Sequence, residues 1–247
     1  MFYALGDKFQ GTFPRMDLEL PPVGRPCNFV GMTRMRMTLC FILLLALQTS
    51  WGQVSKPSPE ESANAAIEAV LVDFDQKDYN KALEKLGNLE KARPEDPLVL
   101  NLLGSVYSRK KDYPTAEAYF RKALSRNPAF FPAQFNLGEL MFLQKQYGEA
   151  RDHFQSMRAS DKRNELLQFK LVLCNLELND KEGAQKILGA IKYPGDSPAW
   201  YYAQAAWEAK AGNLKKAREY VAGARYIFGA KTSLFDESFE VMGLKLH

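Results

Sequence analysis

From residue 63 onward, apolar residues recur at helical spacing in short blocks separated by polar turns. Between Pro97 and Asn127, Leu100, Leu103, Gly104 and Tyr107 fall at i, i+3, i+4 and i+7, and Ala116, Phe120 and Ala123 at i, i+4 and i+7. Each set forms one stripe on a helix of about 3.6 residues per turn. The polar stretch from Lys110 to Tyr113 predicts a tight turn between two antiparallel helices. Pro114 belongs at the start of the second, where its missing N–H is no loss.

This block repeats. Ala82, Ala116, Ala150, Ala184 and Ala217 are separated by 34, 34, 34 and 33 residues, and Lys77-Asp78-Tyr79, Lys111-Asp112-Tyr113 and Lys145-Gln146-Tyr147 recur at the same period. Such a period marks an array in which each unit buries its apolar face on the next. Five units follow, at 63–96, 97–130, 131–164, 165–197 and 198–231. Pro94, Pro97, Pro128, Pro132, Pro194 and Pro198 lie at their boundaries, where helices must stop or start. Thr115 and Thr232 are the only threonines after residue 62 and no alternating stretch stands out, so strands are disfavoured. Past Ile227, Leu234, Phe235, Phe239, Val241, Met242 and Leu244 predict a closing helix within 232–247. Ser233 and Asp236 form its candidate capping box. Such a helix would cover the exposed apolar face of the last unit.

The second unit resembles a tetratricopeptide repeat, matching that pattern at Leu103, Gly104, Tyr107, Ala116, Phe120, Ala123 and Pro128, with Leu100 where the family usually has tryptophan. The third keeps Leu137, Gly138, Ala150 and Phe154, with Met141 for the tyrosine and Lys162 for the proline. The fifth keeps Tyr201, Ala205, Gly212-Asn213-Leu214, Ala217 and Ala224. The first (Ala82, Leu86, Pro94) and fourth (Leu171, Ala184, Leu188) are degenerate, with Val70 and Val172 at the glycine position. The resemblance implies an all-α superhelix, a solenoid of five helix pairs over 63–231 with a C-terminal capping helix. Small residues such as Gly104 and Ala116 would mark where the two helices of a pair cross.

The first 62 residues differ. Six of the 13 prolines lie there, with the one long apolar run, Leu39 to Leu47. Nine residues of helix rise about 14 Å, roughly half a hydrocarbon core, so the run is too short to span a membrane. Arg34 and Arg36 before it and Ser50-Trp51-Gly52 after it fit an export signal at 32–52, cleaved before Gln53. Met32, Met35 and Met37 stand where a start is expected. Residues 1–31 then read as an upstream extension, or as a disordered segment before a membrane anchor. Residues 53–62 read as a flexible linker. Processing would remove Cys27 and Cys40 and leave Cys174 alone, with no internal disulfide. The expected location is a bacterial periplasm or the exterior.

Composition agrees with a globular domain: 247 residues, 46% hydrophobic and 25% charged, with a mean hydropathy of -0.33. The net charge of +4 falls to +2 without residues 1–52, too little and too evenly spread for nucleic-acid binding. With His153 and His247 as the only histidines, no two-histidine zinc motif can be built. His153 reads as a surface residue, Cys174 as a small core residue, and Gly229-Ala230-Lys231-Thr232 as a helix stop rather than a phosphate loop. No enzyme signature, cofactor or metal site is found.

What remains is a protein or peptide partner. The resemblance implies that the first helix of each unit lines a concave groove through its positions 2, 5, 9 and 12. This assigns Phe135, Glu139, Phe142, Phe169, Leu173 and Tyr202 to partner binding. Of a carboxylate clamp found in some relatives, only Asn136 and the charge of Lys170 match, so acidic C-termini are not the expected ligand. On this placement Phe142→Ser would spare stability and abolish binding, whereas burial by neighbouring helices or by the chain's own C-terminal helix would reverse both effects. The other reading is a structural subunit packed permanently into an envelope or secretion assembly.

Overall fold

The computed structural model describes residues 58–160 and 164–246. The expected extension and signal, residues 1–52, lie outside them. Residues from Ala66 onward form one compact unit.

The described residues form eleven α-helices and one 3-10 turn. They pair as α1 (Pro59–Asp75) with α2 (Tyr79–Ala92), α3 (Pro97–Arg109) with α4 (Tyr113–Arg126), α5 (Phe131–Leu143) with α6 (Tyr147–Ser160), α7 (Glu165–Glu177) with α8 (Lys181–Leu188), and α9 (Ala199–Lys210) with α10 (Leu214–Phe228). The 3-10 turn Gly229–Thr232 leads into α11 (Ser233–Val241). The five expected pairs and the closing helix are all present.

One boundary moves. Residues 59–62, expected as linker, are helical because Ser58 and Glu61 form a capping box. Glu61 N donates to Ser58 Oγ at 3.1 Å, and Ser58 N donates to Glu61 Oε2 at 2.7 Å.

The repeated Lys-Asp-Tyr column now has a physical cause. Each pair turns through one residue of positive φ: Lys77 (60°), Lys111 (64°), Lys145 (61°), Asn179 (59°) and Gly212 (89°). The residue after it returns its N–H to the carbonyl five back, as Asp112 does to Tyr107 at 3.0 Å, which closes the first helix. That same residue then caps the second helix: Asp78 accepts from Lys81 N, Asp112 from Thr115 N and Asp180 from Gly183 N. A lysine in this conformation is strained by about 1–2 kcal/mol, part of which glycine would return as unfolded-state entropy. Lys111→Gly is therefore expected to stabilise the fold by about 0.5–1 kcal/mol, read as a higher midpoint in thermal melting.

Pair interiors are tight where glycine was expected. A Cβ built on Gly104 would stand 2.6 Å from Phe120 Cε1, and one on Gly138 2.6 Å from Phe154 Cε1. The ring of the second helix therefore rests on bare backbone of the first. Between the second and third pairs a buried polar bridge fixes the stacking: Asn136 Nδ2 donates to Asn101 Oδ1 at 2.8 Å and to Ser105 Oγ at 3.3 Å. Asn136, one of the two matches to a carboxylate clamp, is thus spent on packing.

Candidate functional site

The first helices α3, α5, α7 and α9 line one face, and α11 lies on that face rather than only over the last pair. Its apolar stripe, Phe235 and Phe239, is buried. Phe235 sits 4.9 Å from the ring of Phe169 and 5.3 Å from that of Tyr202; Phe239 sits 6.4 and 5.1 Å from the same two rings. The ring planes are tilted by 44–51° to one another, and aromatic pairs at such distances are worth about 0.5–1.5 kcal/mol each beyond the area buried.

Polar contacts fix the helix along the face. Tyr202 donates its hydroxyl to Asp236 Oδ1 at 2.6 Å, and Arg225 of α10 donates to the same oxygen at 2.7 Å. Burial, and then the bond to Asp236, hold the Tyr202 phenol above its usual range, so it stays a donor. At the other end, Arg109 Nη2 of α3 meets both carboxylate oxygens of Glu237 at 2.6 Å. Asp236 is thereby committed to α9 and α10, and Thr232 donates its hydroxyl back to Gly229 O at 3.0 Å and makes no side-chain cap. The capping box expected from Ser233 and Asp236 does not form: α11 continues directly from the 3-10 turn instead.

Lys170 sits at the centre. Its side chain is 1% exposed, yet its Nζ donates to Glu139 Oε2 at 2.6 Å and to Ser238 Oγ of α11 at 2.7 Å. The rings of Phe142, Phe169 and Phe135 surround that nitrogen at 5.7, 5.8 and 6.0 Å. An ammonium withdrawn from water is tolerable only with such a set of anion, hydroxyl and aromatic faces. Beside it, under α11, lies a cavity of about 170 Å³ lined among others by Ser108, Arg109, Glu139, Phe142, Lys170 and Val241. Ser108 Oγ, Arg109 Nε and Glu139 Oε1 make no hydrogen bond among the described residues.

The six residues assigned to the groove therefore have distinct places. Phe169 and Tyr202 touch α11 directly, Glu139 holds Lys170, and Phe142 lines the cavity and stands edge-on to Tyr147 at 5.1 Å. Phe135 turns inward onto Phe154 at 5.6 Å, inside its own pair, and Leu173 is fully buried. None of the five apolar side chains exceeds 3% exposure. They are not an open surface, because α11 and the pair interiors already cover them. Sequence reasoning missed Arg109, Asp236, Glu237 and Ser238. Lys170 carried a signal of its own, a lone cation inside the apolar stretch Leu166–Leu176.

The remaining candidates have structural roles. Cys174 is buried, and that burial pushes its thiol up to about 12, far from a nucleophile. His153 is half-buried, its Nε2 2.7 Å from the carbonyl of Gln134. Gly229 ends α10 at φ 54°. Among the described residues no three His, Cys, Asp or Glu side chains converge in a metal-holding group, and no helix is long and apolar enough to cross a membrane.

Comparison with known proteins agrees with the architecture. Tetratricopeptide repeat family profiles match residues 67–130, and 107–166 with 141–207. The uncharacterized protein ycf37 of Cyanophora paradoxa is 33% identical over 109 residues, 44% of this chain and 62% of that protein. This chain thus matches less than two thirds of that relative's length. Two solved structures share the fold at 18% identity: TTC0263, a thermophilic tetratricopeptide repeat protein of Thermus thermophilus (TM-score 0.58, covering 73% of this chain and 99% of that one), and PilW, a type IV pilus biogenesis factor (TM-score 0.56, 74% and 87%).

Proposed function

Because the chain belongs to the tetratricopeptide repeat family, whose members are generally non-catalytic scaffolds, we propose that it is an exported scaffold that binds a protein segment on the face lined by α3, α5, α7 and α9. One observation carries this reading: that face already holds a helix, α11, by aromatic pairs and ionic contacts. A face that accommodates one amphipathic helix has the shape and chemistry for helix-in-groove recognition. The pattern at residues 32–52 supports export.

A second reading, a subunit fixed in an envelope or secretion assembly, has its own support. Tyr226 is 93% exposed, beside the exposed Ile227. Large apolar side chains left in water fit a permanent contact.

Photo-cross-linking separates the two. With a cross-linking residue at Leu143, the half-buried last residue of α5 at the cavity beneath α11, or at Tyr226, the groove reading expects a protein adduct from position 143 and little from 226. Adducts from 226 alone, with self-association of the purified chain in size exclusion, would replace it by the subunit reading. Fractionating the same cells reports whether the chain is exported.

A further inference from the structure

We propose that α11 is a resident ligand: the face it covers recognises amphipathic helices with two aromatic side chains four residues apart and acidic residues between them, and such a helix from a partner displaces α11. This rests on the groove reading above and specifies both its ligand and its control.

The ligand is read from what the face contacts. Phe235 and Phe239, at i and i+4, fill the space against Phe169 and Tyr202. Between them, Asp236 answers Tyr202 and Arg225, Glu237 answers Arg109, and Ser238 answers Lys170. The face supplies cations and a phenol donor; the helix supplies carboxylates and rings. An apolar stripe alone would not choose among partner helices, whereas this alternation does.

That α11 can leave follows from how it is held. At nine residues it is too short to persist as a helix in water, so its order comes from the seat. It joins α10 through Gly229, at φ 54°, and a 3-10 turn, and it lacks a side-chain N-cap. Its ion pair with Arg109 involves side chains 26% and 41% exposed, the kind that solvent replaces readily. The seat is also imperfect. At the cavity beneath α11, Ser108 Oγ and Glu139 Oε1 have no hydrogen bond among the described residues, and Val241 of α11 lines it with an apolar side chain. A partner helix with a polar side chain at that position would fit better.

The test uses the full chain and a fluorescent synthetic peptide of residues 231–243, read by anisotropy. Tethered α11 competes at an effective concentration in the millimolar range, so the parent should bind the peptide weakly. Glu237→Arg sets a cation against Arg109, and should tighten peptide binding at least tenfold and speed hydrogen exchange in 233–241 relative to α7. Arg109→Glu with Glu237→Arg restores the internal pair and sets a carboxylate against Glu237 of the peptide, so binding should fall to the parent level or below. A peptide with both phenylalanines replaced by alanine should not bind any variant. The proposal is overturned if Glu237→Arg binds no more tightly than the parent, or if it loses the helix content of the repeats, which would make α11 a fixed wall. In either case, absence of a partner adduct from position 143 would show that the groove reading has failed too. A partner adduct from position 143 would leave the groove standing and remove the exchange alone.

Discussion

Phe142→Ser is expected to lower stability by about 3–5 kcal/mol, the cost of removing a buried phenylalanine, with the new hydroxyl adding to it. Counting positions along a repeat puts Phe142 on the partner face, where serine would be tolerated to within about 1 kcal/mol. Its 1% exposure decides otherwise. The ring stands edge-on to Tyr147, caps the Lys170 ammonium at 5.7 Å and borders the cavity that Val241 helps to line. Deleting it would enlarge that cavity and strip one aromatic face from a buried charge. In a folded region of this size, a loss of that order lowers the melting midpoint by roughly 10 °C. Calorimetry of parent and variant measures it directly. A shift under about 2 °C would mean that α11 leaves this ring open to water in solution.

The repeat array was legible in the sequence because its determinants are local. The positive-φ turn, the aspartate cap and the small residue at the crossing all fall within one period, so each appears as a column: Lys77, Lys111 and Lys145, then Asp78 and Asp112, then Ala82 through Ala217. The face that α11 covers was only half legible. Position in the repeat puts Phe169 and Tyr202 on the surface shared by α7 and α9, where their rings meet, but it is silent about what lies on that surface. The amphipathic pattern of 233–241 shows which side of α11 is apolar and not which of two apolar surfaces receives it. The contacts that decide, Arg109 with Glu237 and Lys170 with Ser238, join residues 128 and 68 positions apart. No periodicity reports pairs at that separation. Phe135 failed for a different reason: at its turn of α5 the ring leans back onto Phe154 of its own pair instead of forward into the groove.

The pair formed by Lys170 and Glu139 is where stability and the seating of α11 meet, and Glu139→Leu is expected to cost about 3–5 kcal/mol. Lys170 would keep Ser238 Oγ and three aromatic faces, but a side chain 1% exposed would then carry its charge without an anion. Lys170→Met leaves the opposite group, and Glu139, at 14% side-chain exposure, can regain some water. Its cost should therefore be the smaller of the two. Replacing both, Glu139→Leu with Lys170→Met, removes the two desolvated charges together and is expected to come within about 1 kcal/mol of the parent, since matched apolar groups often do as well as a buried ion pair. Urea unfolding of the three variants measures the cycle, and single costs that simply add in the double would show that the two charges do not interact. The double variant has a second consequence. Without the ammonium that holds Ser238, α11 keeps its two rings but loses a central polar contact, so hydrogen exchange should quicken in 233–241 while the repeats stay as stable as before.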